Sequence, residues 1–149
     1  MSEILSPAAL LQEMAASVPY LAFLGIRFET AGDELTGVLP YRPELIGNPM
    51  LPALHGGVTA AFLEVTAITG LLWSGLRQGR IPARSPLILP KTIDLTIDYL
   101  RPGQPRDAFA RARINRSGRR YASVHVETWQ DDPARLFAQA TGHFLTRSE

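Results

Sequence analysis

Apolar and polar positions along the chain alternate with two different periods, and the change of period divides it into elements. Residues 57–76 run twenty positions with one charge, Glu64, which reads as a long helix buried nearly all round. Residues 91–100 switch to strict alternation. Ile93, Leu95, Ile97 and Tyr99 fall on one face and Thr92, Asp94, Thr96 and Asp98 on the other, the pattern of a half-buried strand. Upstream, Ser6-Pro7 is an N-cap followed by proline at the first helical position, so a short amphipathic helix is expected over residues 7–17, stopped by Pro19. Residues 26–30 and 34–39 around Ala31-Gly32-Asp33 read as a hairpin. Prolines at 40, 43, 49 and 52 make residues 41–54 a loop. Those at 82, 86 and 90 make residues 77–90 a long connection, which is often functional.

Three further strands are expected at residues 109–114, 121–129 and 136–146, turning at Ser117-Gly118-Arg119 and Asp131-Asp132-Pro133. Helix, hairpin, apolar helix and meander together predict an α+β fold, one antiparallel sheet wrapped around a central helix. A chain of 149 residues fits a single domain, residues 1–149, with residues 1–18 as an N-terminal helix. An open sheet leaves edge strands, commonly managed by pairing with another copy, so an oligomer is expected.

Composition narrows the class. With 46% hydrophobic and 19% charged residues the chain is globular, and with no cysteine it has neither a disulfide framework nor a thiol nucleophile. Three histidines without cysteines predict no metal centre. The N-terminus lacks the basic and apolar regions of a secretory signal, so a cytoplasmic location is expected. Residues 57–76 have the length of a membrane span, but Glu64 at a bilayer centre would cost roughly 2.5 kcal/mol or more, and Gly70 and three threonines dilute the apolarity. The reading is a core helix, with no membrane partner.

The chemistry concentrates where that helix begins. His55-Gly56-Gly57 opens it, and glycines in a first turn let a ligand approach unpaired N–H groups at the positive end of the helix dipole, a setting for a developing oxyanion. Glu64 is the candidate general base or nucleophile, since partial desolvation strengthens a carboxylate as a base. Helix rise separates Gly56 from Glu64 by roughly 12 Å. If both act on one carbonyl, the second must come from another subunit. The plain alternative is tight helix packing at the glycines and an ion-paired or solvated Glu64.

His55 to Glu64, the strand from Thr92 to Leu100 with its trailing Arg101-Pro102-Gly103, and Arg116-Ser117-Gly118-Arg119 together resemble the PaaI-type acyl-CoA thioesterases of the hotdog fold, over residues 19–146. The resemblance implies hydrolysis of a small or aromatic acyl-CoA with no cofactor beyond the coenzyme A of the substrate, at sites shared between subunits. It implies a homodimer as minimal unit and a homotetramer as the assembly. Gly56 would donate its N–H to the thioester oxygen with His55 shaping the pocket, Glu64 of the facing subunit would activate water or attack, Thr92 would position water, and Asn48 resembles the amide on the carbonyl side. Thr92 also fits a merely β-favouring residue.

Fourteen of fifteen basic residues are arginine, and seven lie in residues 101–120 against one acid, Asp107, a local excess of +6 in a chain of net charge +1. Arginine suits phosphate, so an anionic partner is expected there. On the resemblance it is the nucleotide end of coenzyme A, met by Arg116, Ser117, Gly118, Arg119 and Arg120, with turn N–H groups as further donors. No nucleic-acid motif accompanies the patch. Two competing functions share this pattern. A hotdog dehydratase or hydratase also uses a carboxylate and a histidine, and a non-catalytic acyl-CoA-binding module would keep the ligand contacts without turnover.

Overall fold

The computed structural model describes residues 5–146. Its elements are α1 (Pro7–Ser17), α2 (Pro19–Leu24), β1 (Arg27–Ala31), β2 (Glu34–Leu39), β3 (Ile46–Asn48), β4 (Ala53–Leu54), α3 (Gly56–Arg77), β5 (Lys91–Tyr99), β6 (Ala108–Ser117), β7 (Tyr121–Trp129) and β8 (Leu136–Leu145). Six strands form one antiparallel sheet in the order β1-β2-β6-β7-β8-β5. α3 lies on its inner face, burying Phe62, Leu63, Ala67 and Leu72 against Val124, Val126 and Phe144, and α1 adds Leu10, Leu11 and Met14. The expected architecture is the observed one.

Small residues let the helix sit close to the sheet. Ala108, Ala110, Ala122, Ala138 and Ala140 are each at most 2% exposed. A Cβ on Gly70 would stand 2.9 Å from the Ala112 methyl, and one on Gly37 would stand 2.6 Å from Thr66 Oγ1. Thr66 returns its own hydroxyl to the Phe62 carbonyl at 2.8 Å, so the buried oxygen is satisfied inside the helix.

Four local expectations are corrected. Pro19 does not simply end α1; it starts a second helix, because proline suits a first helical position as well as a stop. Residues 41–54 are not all loop: a 3-10 turn (Pro43–Leu45) precedes β3 and β4, which pair antiparallel. β5 is one of the two sheet edges rather than a half-buried strand, with Ile93 49% and Tyr99 56% exposed. Its alternation is also broken. Thr92 pairs with Phe144 and Asp94 with His143, so Ile93 is an inserted bulge residue and Thr92 shares the inner face with Leu95, Ile97 and Tyr99 instead of lying beside Asp94.

Candidate active site

The start of α3 is fixed by hydrogen bonds that leave one donor over. His55 is the N-cap, and its Nδ1 accepts the Gly57 N–H at 2.8 Å, which places the ring proton on Nε2. The His55 carbonyl takes the Val58 and Thr59 N–H groups at 3.0 and 3.2 Å. Among the described residues the Gly56 N–H has no acceptor. Gly56, the donor expected from the sequence, is the one left open, while the Gly57 N–H is spent on the cap. The Tyr99 hydroxyl donates to the Gly56 carbonyl at 2.8 Å, so both peptides flanking this glycine are held.

The cap is itself braced. Its N–H reaches the Leu45 carbonyl at 2.8 Å, and the Leu54 N–H reaches the Gly103 carbonyl at 2.8 Å. A Cβ on Gly47 would stand 2.7 Å from His55 Cα, so β3 passes too close for any side chain there. Tyr99 and Gly47 are positioning residues that sequence reasoning missed. Tyr99 was visible only as one apolar member of an alternating strand.

Glu64 lies half-buried on α3, two turns beyond Gly56, and makes no hydrogen bond or ion pair with the described residues. Asn48 is exposed, and its Oδ1 accepts the Met50 N–H at 3.0 Å, a turn-forming bond. Thr92 stands at the opposite end of β5 from Tyr99, roughly 23 Å along the strand. One chain therefore gathers His55, Gly56 and Tyr99, and does not bring Glu64 or Thr92 to them.

The arginine excess divides. Arg106 pairs with Asp131 at 2.7 Å, Arg111 with Glu34 at 3.1 Å, and Asp107 caps the Tyr41 N–H at 2.7 Å. Arg116, Arg119 and Arg120 gather at the β6–β7 turn, lining a concavity of about 420 Å³ with Gly118, Tyr121 and His143. A bulge at Asn115 turns Arg116 to the outer face beside Ser123, while Ser117 pairs with buried Ala122 on the inner face. The Gly118 N–H is spent on the Tyr121 carbonyl at 2.8 Å, so it is not the free donor the turn suggested.

The sequence and the fold have counterparts in known proteins. The sequence model of the Thioesterase superfamily matches residues 51–137, which include the α3 start, Glu64 and Thr92. The chain belongs to the thioesterase superfamily. It is 33% identical over 137 residues to the medium/long-chain acyl-CoA thioesterase YigI of Salmonella typhimurium, covering 86% of this chain and 85% of that protein. A Chromobacterium violaceum protein of known structure is 34% identical with a TM-score of 0.68, over 93% of this chain and 90% of that one. The BH2602 protein of Bacillus halodurans, solved with CoA, is 25% identical with a TM-score of 0.68, over 95% and 88%. The sheet wrapped around a central helix is the hotdog fold of this superfamily, and the chain is a thioester hydrolase.

Proposed function

We propose that the protein hydrolyses acyl-CoA thioesters with medium to long acyl chains, in place of the small or aromatic group that the motif alone suggested. The chain length follows the likeness to the Salmonella relative. One observation carries the chemistry: among the described residues the Gly56 N–H at the start of α3 has no acceptor, and Glu64 is a half-buried carboxylate with no hydrogen-bond or ionic partner. The Gly56 N–H, at the positive end of the helix, receives the thioester oxygen as it gains charge. Glu64 takes a proton from water as the water oxygen bonds to the acyl carbon. The carbon–sulfur bond then breaks and the proton passes to the departing thiolate, leaving acid and CoA.

Gly56 and Glu64 of one chain are too far apart to share a carbonyl, so we assign them to different copies. The β5 edge offers the means, because its exposed Ile93, Tyr99 and Leu100 are covered if two copies pair there antiparallel. Pairing centred on Thr96, with Ile93 bulged out, sets Leu95 opposite the partner's Ile97 and Thr92 opposite the partner's Tyr99, next to the partner's Gly56. Thr92 then sits where it can orient the water. Arg116, Arg119 and Arg120 stand on that same side and fit the phosphates of the CoA nucleotide. A homodimer is the minimal unit on this reading and a homotetramer the full assembly.

The test is thiol release from acyl-CoAs of 4 to 16 carbons and one aromatic acyl-CoA, for wild type and Glu64→Ala. Turnover that falls by about 100-fold or more in the variant is expected. Binding without turnover across the series overturns the enzyme reading in favour of a ligand-binding module.

A further inference from the structure

The far half of α3 borders a half-open cavity outside the residues assigned to the reaction. Glu64, Ile68, Leu71 and Gly75 lie on one stripe of the helix, because steps of seven and eleven residues return close to the same face. Glu64 and Ile68 are half-buried. Leu71 and Gly75 are buried, covered by the proline-rich connection at residues 80–90. Between helix and connection lies a cavity of about 680 Å³, walled by Leu71, Leu72 and Gly75 on one side and Ile81, Leu87 and Ile88 on the other. Gly75 lets the connection lie close to the helix, since a Cβ there would displace the Ile81 side chain. Arg80, Arg84 and Arg119 also line the cavity, and the Arg80 guanidinium donates to Gln78 Oε1 at 2.9 Å.

We infer that this cavity receives the distal part of an unbranched acyl chain, and that the residues 80–90 connection sets the chain length the enzyme prefers. The inference rests on the proposed role of Glu64. An acyl carbon at Glu64 points its chain along the stripe. Leu71 is roughly 10 Å further along the axis and Gly75 roughly 16 Å. A saturated chain advances about 1.25 Å per carbon, so it enters the cavity near its eighth carbon and fills it by about the thirteenth. Chains of six carbons or fewer do not reach it. The cavity belongs to the protomer that supplies Glu64, and Ser117, Gly118 and Arg119 of that chain's β6–β7 turn line it as well.

The measurement is kcat/KM for hexanoyl-CoA and dodecanoyl-CoA, read as a ratio so that an inactive fraction cancels. Each methylene placed in the cavity is expected to raise kcat/KM by about fourfold in the wild type. Leu71→Trp, which narrows the cavity where the chain enters it, should lower the dodecanoyl-to-hexanoyl ratio about tenfold or more. Ile88→Ser, at a loop residue 69% exposed and free of folding demands, should lower it about threefold. A wild-type ratio near one, or a ratio unchanged in both variants, overturns the inference. If the wild type releases no thiol from any acyl-CoA, the thioesterase reading fails separately. The cavity is then tested by titrating the thioethers S-hexyl-CoA and S-dodecyl-CoA: tighter dodecyl binding that Leu71→Trp abolishes supports it, and equal binding of the two rejects it.

Discussion

Replacing Glu64 should push stability and activity in opposite directions. The carboxylate is half-buried in α3 and has no hydrogen-bond or ionic partner among the described residues, so its removal breaks no contact of that kind. An uncompensated buried polar group costs about 1–3 kcal/mol in proteins, and at half burial the lower figure, about 1 kcal/mol, applies. Leucine and glutamate have nearly equal helix propensity, so Glu64→Leu returns that amount without a helix penalty. For a chain of this length the gain is about 2–4 °C in Tm. Catalysis moves the other way, since loss of a general base lowers kcat by about 10²–10⁴. Thermal unfolding at matched protein concentration reads the first quantity, and thiol release at saturating substrate reads the second on Glu64→Leu and Glu64→Gln. A fall of several degrees in Glu64→Leu would show that the carboxylate holds the structure together. A Glu64→Gln enzyme keeping more than about a tenth of wild-type kcat would remove it from the chemistry.

Gly56→Pro deletes the unpaired N–H and little else: the residue is first in α3, His55 before it is extended at φ −59° and ψ 130°, and an added Cβ meets Tyr99 at an ordinary 3.5 Å. Circular dichroism should be unchanged and kcat about 10²–10³ lower; full activity would place the oxyanion elsewhere. Tyr99→Phe removes the bond to the Gly56 carbonyl and should cost at most about 1 kcal/mol of stability by denaturant titration, with a fall in kcat and little change in KM. Gly47→Ala drives a methyl into the His55 backbone and should destabilise by about 1–3 kcal/mol, and an unchanged unfolding midpoint would refute that packing.

The periods of the sequence located α3, the hairpin and the four-strand meander, because those elements are long enough for a face to repeat. β3 and β4, of three and two residues, are too short to show a period, and they brace His55. The bulge at Ile93 was hidden for a related reason: the residues alternate without a break, and only pairing with β8 shows that Thr92 turns inward. Gly56 and Glu64 stood out because their residue types are costly in an apolar helix. Tyr99 did not, since its hydroxyl acts on a backbone group 43 positions away. The arginine excess overstated the anion site because Glu34 and Asp131, distant in sequence, neutralise two of its members.

The central claim, that each reaction centre combines Gly56 of one chain with Glu64 of another, is tested most directly by complementation. Gly56→Pro and Glu64→Ala proteins are each unfolded, mixed in equal amounts, refolded together and assayed for thiol release. Half of the dimers are then hybrids, and each hybrid has one centre with both groups intact. The account predicts recovery of about one quarter of wild-type activity from two nearly inactive parents. Activity no higher than the mean of the parents, with hybrid dimers demonstrated by mass spectrometry, would place both groups in one chain and contradict it.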